Sequence, residues 1–359
     1  MDELGGQSLK KAKNFHKPKL FLNNKPNEVI EKTDFKAGEQ KNNLNPKPLN
    51  LKISPDQPSE IRKDYINDYY VLVAPKRHAR PFDTVSHFCP FFETEDSPRL
   101  DEQTEVYSLR DKENGWLTKV VDNKFPSLST DNSRAYGKQE IVIDTPLSNT
   151  AAGDLDQKQL IDLLLTYRQR IKELLKLPNI KYVLVFKNHG IEAGASLAHA
   201  HSQIFALPMI PQNFVDESSK IEDYYKTKNA DPIEKIIDFE RAENKRIVSE
   251  NKDFISICPY APRWPLEAWI IAKRKVQNFS DLTNLELSSL SKLLHQIIHK
   301  LTDYNVSYNF YLQNGVSEHQ RFMLKVESRN LNTWGGFEVA TGMIINTVPP
   351  ESSAEWYKT

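Results

Sequence analysis

The chain has 359 residues, enough for one large domain or two medium-sized domains with buried cores. Its 48 basic and 48 acidic residues cancel, so no overall field attracts nucleic acid or an acidic membrane surface. Two cysteines are too few for a disulfide framework, the N-terminus lacks an apolar signal core, and no apolar run reaches the ~18 residues of a membrane span, so a cytoplasmic protein is expected.

The N-terminal part of the chain differs in composition from the rest. Residues 1–56 are rich in Lys, Asn and Pro and show neither helical nor strand periodicity, which predicts a disordered tail. Order is predicted to begin at residues 61–64 and at a strand over residues 69–74, which Pro75 closes. Residues 76–81 follow as a basic exit loop.

A weak internal repeat organises the remaining elements. Its first copy is a strand, a helix and two strands, at residues 140–144, 156–177, 182–186 and 199–207. Its second copy repeats this order at residues 267–272, 283–301, 309–312 and 322–326. Capping boxes mark both helix starts, Asp156 with Gln159 and Thr283 with Glu286. The pattern therefore predicts a duplicated α+β unit.

A charged segment separates the two copies. It shows short patches of helical spacing, as at Ile233, Ile236 and Ile237, which indicates a helical insertion on the surface. The predicted organisation is a tail at residues 1–56, a first domain at 57–211, the insertion at 212–250 and a second domain at 251–359.

The most informative motif is His-Ala-His-Ser-Gln at residues 199–203. Side chains at alternate positions of a strand share one face, so His199, His201 and Gln203 are predicted to point the same way. The preceding loop, residues 188–198, is rich in Gly, Ala and Ser, whose backbone N–H groups can approach an anion. A nucleophilic imidazole beside a phosphate cradle is the predicted chemistry. Taken alone, the two histidines also suit a metal half-site or a satisfied pair in the core.

Several separate motifs of this chain, taken in chain order, resemble those of the galactose-1-phosphate uridylyltransferase family of histidine-triad nucleotidyl transferases. The residues that carry the resemblance are Arg62, Asp64, Tyr70, Ala74, Pro75, Arg77, Arg80 and Pro81, then 121–126, then Gly194, Ser196, His199, His201 and Gln203, and finally 258–263 and 334–338. Tyr70 stands where tryptophan is usual. The resemblance implies an α+β fold made of two histidine-triad-like units, with an antiparallel sheet flanked by helices, and it suggests a homodimer.

The resemblance also implies a reaction. His201 is expected to attack the α-phosphorus of a nucleotide sugar, and a sugar 1-phosphate then resolves the nucleotidyl-histidine. A neutral imidazole is nucleophilic near pH 7, because its usual pKa is about 6.5. Gln203 is expected to hold a phosphate oxygen. For His199 two roles stay open, orienting His201 or forming a hydrogen bond with the core. The implied substrate-binding residues are Arg77, Arg80, Asn123, Lys124, Asn188, Gly194, Ala195 and Ser196.

The family's metal ligands are largely replaced in this chain. The resemblance implies a zinc held by a Cys-x-x-Cys pair, a Pro-x-His motif and the first histidine of the central pair. Only Cys89 and His199 remain, because Phe92 and Ser148 occupy the other two positions. The positions of a second family metal site hold Arg321, Met323 and Gln313. Since a tetrahedral zinc site needs four ligands, we expect no metal and no other cofactor, although His87 beside Cys89 leaves a rearranged site open.

Three functions follow from these residues. The first transfers UMP from UDP-glucose to a hexose 1-phosphate through His201. The second uses inorganic phosphate or water as the acceptor, as a nucleotide-sugar phosphorylase or hydrolase. The third is nucleotide binding without catalysis. The first is the leading prediction, and the third ranks last because His201 and Gln203 are retained while metal ligands are the residues that changed.

Overall fold

The structure is a computed structural model that describes residues 57–65, 68–75, 77, 104–113, 115–147 and 150–359. Predictions for the tail at residues 1–56 and for Arg80, His87, Cys89, Phe92 and Ser148 lie outside these residues. In the described part, no helix combines the length and hydrophobicity needed to cross a bilayer.

Most strands join one large sheet. Their bounds are β3 Glu105–Asp111, β4 Gly115–Asp122, β5 Lys138–Ile143, β6 Tyr182–His189, β7 His201–Leu207, β8 Ile247–Glu250, β9 Phe254–Ile257, β10 Ala268–Ala272, β11 Tyr308–Gln313 and β12 Met323–Ser328. Neighbouring strands are antiparallel, in the order β3-β4-β5-β7-β6-β11-β12-β10-β9-β8. A separate hairpin pairs β1 (Glu60–Lys63) with β2 (Tyr70–Val73).

The strand order confirms the duplication. On one side of the central β6–β11 pair the sheet continues through β7, β5 and β4, and on the other through β12, β10 and β9. The register is also repeated, since His201 lies opposite Ile143 in β5 and Met323 lies opposite Ile271 in β10. Met323 therefore occupies in the second copy the position that His201 has in the first.

Two helices begin where the predicted capping boxes place them. The α-helix bounds are α1 Gln157–Leu174, α2 Gln212–Lys228, α3 Pro232–Glu243, α4 Asn284–Asp303, α5 Gly336–Thr341 and α6 Pro350–Lys358. The backbone N–H of Gln159 donates to Asp156 Oδ1 at 2.8 Å, and the N–H of Asp156 donates to Gln159 Oε1 at 2.9 Å. Thr283 and Glu286 make the same exchange before α4, at 2.8 and 3.2 Å. Both predicted boxes are confirmed, and they satisfy donors that a helix start leaves unpaired.

The main core lies between one face of the sheet and helices α1, α4 and α6. The helices contribute buried apolar side chains at helical spacing to this core, among them Leu160, Leu164, Ile171, Leu290, Leu294 and Ile298. From β7, Ile204 enters this core. The residues that alternate with Ile204 along β7 therefore face the opposite side of the sheet.

The predicted helical insertion is helical only as far as Glu243. Residues 247–250 instead form β8, an edge strand paired with β9. Four residues are too few for an alternating pattern to stand out from a charged segment. Helices α2 and α3 pack Ile221, Ile233 and Ile237 over the second copy's share of the other face, where Met323 also lies. The second copy's counterpart of His201 is thus covered by the insertion.

Candidate functional site

His201 and Gln203 lie on the sheet face opposite the main core. His201 is the first residue of β7 and Gln203 follows two positions later, while Ser202 between them contacts the Tyr167 hydroxyl of α1 at 2.5 Å. The predicted common face is therefore present for these two side chains. His199 lies before the strand begins, so its position depends on its own hydrogen bonds and not on the strand pleat.

The ring of His201 is held in one tautomer. Its Nδ1 lies 2.8 Å from the carbonyl oxygen of His199, and because a carbonyl only accepts, Nδ1 carries the proton. In the neutral form of such a ring the lone pair is on Nε2. The side chain is 4% exposed, so its orientation is constrained by its surroundings. This is the protonation pattern that attack by Nε2 requires.

His199 is fixed in the opposite tautomer. Its Nε2–H donates to the carbonyl oxygen of Thr145 at 2.9 Å. Burial lowers the pKa of His199 below its usual value of 6.5, so the ring is neutral at neutral pH. Through its carbonyl oxygen, His199 also receives the Nδ1–H of His201. The contact to His201 thus comes from the main chain of His199, while its imidazole is bonded to the backbone of Thr145.

Asparagine side chains tie the small-residue loop to two strands. Asn309 Nδ2 donates to Asn188 Oδ1 and to the carbonyl oxygen of Ala193, both at 2.8 Å. Asn188 Nδ2 donates to the carbonyl oxygen of Gly194 at 3.3 Å. Sequence reasoning missed Asn309 because it belongs to β11 of the second copy, and only the β6–β11 pairing brings it to the loop.

The loop differs from the predicted anion cradle at two of its amides. The N–H of Gly194 donates to the Ile191 carbonyl oxygen at 2.8 Å, and the N–H of Ala195 donates to the Gly190 carbonyl oxygen at 3.1 Å. Both donors are therefore used within the loop. Ser196, the next residue, is 2% exposed. In this conformation the loop does not turn those two amides toward a ligand.

Gly190 is expected to tolerate substitution less well than Gly194. Both have positive φ, 84° and 83°, where a side chain costs about 1–2 kcal/mol. A Cβ at Gly190 would also overlap Ser307 Oγ, whereas at Gly194 its nearest neighbour is Asn188 Nδ2 at 3.6 Å. We expect Gly190→Ala to lower the free energy of unfolding by about 2–4 kcal/mol and Gly194→Ala by about 1–2 kcal/mol. Urea denaturation of both variants tests this, and equal losses would contradict the packing argument.

Arg77 and the segment after β4 form a second group. Arg77 Nη1 donates to the carbonyl oxygen of Phe125 at 3.4 Å and to Ser127 Oγ at 3.3 Å. Asn123 Oδ1 accepts the N–H of Phe125 at 2.9 Å. Lys124 lines a neighbouring cavity of about 460 Å³. The structure thus brings together three of the predicted substrate-binding residues from two distant motifs.

This second group lies near Phe205, toward the end of β7 that is distant from His201. The N–H of Asn123 donates to the carbonyl oxygen of Gln139, and Gln139 lies opposite Phe205 in β7. Phe205 is four residues from His201, a strand length of ~13 Å. Within one chain, Arg77, Asn123 and Lys124 are therefore separated from the His201 end of β7.

The residues at the implied zinc position do not fit that metal. Phe92 and Ser148 replace two of its four ligands, and the Nε2–H of His199 is donated to a carbonyl oxygen. In the described residues, one group brings three possible ligand atoms within 4.8 Å of one another: Asp154, His299 and Asp303. All three side chains are exposed, and His299 belongs to α4 on the core side of the sheet.

Known protein families match most of this chain. The family model for the galactose-1-phosphate uridyl transferase N-terminal domain matches residues 90–211, and the model for the C-terminal domain matches residues 212–328. An ADP-glucose phosphorylase from Arabidopsis thaliana is 30% identical over 337 residues, which cover 84% of this chain and 92% of the relative. A galactose-1-phosphate uridylyltransferase from Thermotoga maritima is 26% identical over 322 residues, which cover 82% and 96%.

The fold is shared with a solved relative. The crystal structure of an ADP-glucose phosphorylase from Arabidopsis thaliana with bound ADP-glucose superposes with a TM-score of 0.66 at 28% identity. The match covers 84% of this chain and 98% of that chain. The duplicated α+β architecture described above therefore has a direct counterpart among known structures.

Proposed function

Because the chain belongs to the galactose-1-phosphate uridylyltransferase family, we propose that it transfers a nucleotidyl group from a nucleotide sugar to an acceptor phosphate through His201. One observation supports this proposal most strongly. The His201 Nδ1–H donates to the His199 carbonyl oxygen, so the lone pair lies on Nε2 of a ring that faces away from the main core.

The transfer proceeds in two displacements. In the first, the Nε2 lone pair of His201 forms a bond to the α-phosphorus, and the bond from phosphorus to the bridging oxygen breaks. The sugar 1-phosphate leaves with that electron pair. In the second, an oxygen of the acceptor phosphate attacks the same phosphorus and the N–P electrons return to Nε2. The Nδ1–H stays on the ring throughout, and its bond to the His199 carbonyl strengthens as the ring gains positive charge.

Two donor and acceptor pairs are supported by the relatives. The name of the Arabidopsis relative, ADP-glucose phosphorylase, favours ADP-glucose with inorganic phosphate. The name of the Thermotoga relative favours a hexose 1-phosphate acceptor, in agreement with the UDP-glucose reaction predicted from the sequence. Both pairs use the same attack by His201 and differ only in what binds around it.

Labelling of the protein tests the proposal. We expect incubation with ADP-glucose or UDP-glucose carrying ³²P at the α-phosphorus, followed by an alkaline quench, to leave label on the protein. Added phosphate should release it as a nucleoside diphosphate, and added hexose 1-phosphate as a new nucleotide sugar. A donor labelled in its sugar is the control and should leave none. Thermal stabilisation by both donors without any label would instead indicate binding without catalysis.

A further inference from the structure

Lys187 and Asp144 are buried residues that lie next to the backbone of His201, the proposed nucleophile. Each is 1% exposed, and neither belongs to the motifs discussed above. Lys187 Nζ lies 2.5 Å from Asp144 Oδ2 and 2.9 Å from the carbonyl oxygen of His201. An ion pair of the core therefore contacts the main chain of the residue that attacks.

Three successive carbonyl groups at this point each accept a hydrogen bond. The His199 oxygen receives the ring Nδ1–H of His201 at 2.8 Å, and the Ala200 oxygen receives the backbone N–H of Asp144 at 3.1 Å. The His201 oxygen receives Lys187 Nζ. Two of these three donors belong to the ion-paired residues, so Lys187 and Asp144 together hold the start of β7.

The same pair is connected to a helix. Ser202 Oγ donates to Asp144 Oδ1 at 3.0 Å. Because that contact uses the single Ser202 proton, the Tyr167 hydroxyl of α1 is the donor in its 2.5 Å contact with Ser202. The network thus joins α1, β6 and β7 with the residue that follows β5. A displacement of His201 along its strand would have to break several of these contacts.

Stability alone gives a weak reason for this ion pair. Burying two charges costs desolvation free energy that their attraction barely repays, and apolar replacement of a buried pair is often neutral or stabilising. Positioning gives a stronger reason, since a misplacement of ~1 Å at a reacting centre can slow a reaction ~10²-fold. On the basis of the proposed function, we propose that Lys187 and Asp144 are positioning residues that set the backbone of His201 for attack on phosphorus.

A double substitution separates positioning from stability. Asp144→Leu with Lys187→Met removes both charges and keeps the space filled. We expect a thermal midpoint at or above that of the wild type and a donor Kd within about threefold, but a single-turnover labelling rate ~10²-fold lower. A double variant that labels at the wild-type rate would overturn the proposal. A wild-type protein that never labels refutes the proposed function itself, which distinguishes the two failures.

The sheet offers a matched control pair. Glu140 belongs to β5 and lies four residues before Asp144, and Arg170 donates to both of its carboxylate oxygens at 2.7 and 2.8 Å. Among the described residues, the carbonyl oxygens of residues 199–201 are bonded to other groups and not to this pair. Glu140 is as enclosed as Asp144, at 0% exposed. Glu140→Leu with Arg170→Met is therefore expected to keep the wild-type labelling rate.

Two single variants keep the test decisive if the double variant does not fold. Asp144→Asn and Lys187→Met both break the ion pair, but only Lys187→Met removes the donor to the His201 carbonyl oxygen. We expect Lys187→Met to label at least about tenfold more slowly than Asp144→Asn at equal folded fraction. Equal rates in the two variants would show that the His201 contact does not matter.

Discussion

The His201→Asn variant is expected to lose labelling by a nucleotide sugar by more than about 10³-fold. The asparagine amide can donate to the His199 carbonyl oxygen in place of the His201 Nδ1–H, which makes that contact at 2.8 Å in the wild type. It has no nucleophilic nitrogen that could attack phosphorus. Donor binding, measured by thermal stabilisation, should change little. The labelling rate under single-turnover conditions is the decisive measurement.

The matched control for this variant is His299→Asn. His299 lies on α4, and its Nδ1 donates to the carbonyl oxygen of Gly153 on the core side of the sheet. Labelling at the wild-type rate is expected in this variant. If His201→Asn still accepts the nucleotidyl group at a comparable rate, another residue is the nucleophile and the proposed mechanism is wrong.

Local patterns allowed much of the site's framework to be predicted. The alternation at residues 201–203 and the capping boxes at Asp156 and Thr283 depend on neighbours in the chain, so a single sequence reveals them. By contrast, β8, α5 and α6 are short elements whose stability comes from what they pack against. β8 was predicted as part of the helical insertion, and α5 and α6 were not predicted.

The residues that support the site were harder to predict for a physical reason. Lys187 follows an apolar strand and precedes Asn188, so in the sequence it resembles an exposed charge at a strand end. Only the sheet register shows that it is enclosed and bonded to Asp144. Asn309 was missed in the same way, since its contact with Asn188 joins residues from the two copies. Long-range pairings of this kind leave no periodic signal.

Gln203 provides the second large effect on the reaction. It lies on the same face as His201, two residues along β7, and is 5% exposed. If its amide donates to a phosphate oxygen as charge develops at phosphorus, Gln203→Ala should slow labelling ~10²-fold with a smaller change in donor Kd. Gln203→Glu should be slower still, because it replaces the donor by a carboxylate beside an anionic phosphate.

A control on the same strand face tests whether the effect of Gln203 is specific. Phe205 is the next residue of β7 on that face, and its ring packs against Phe186 at a centroid distance of 5.2 Å. Phe205→Leu perturbs packing without removing a polar group, so its labelling rate should stay within about threefold of the wild type. A Gln203→Glu variant as fast as Phe205→Leu would place phosphorus away from Gln203. The nucleotide sugar would then have to approach Nε2 of His201 from another direction than the one argued here, since the strand pleat puts these two side chains side by side.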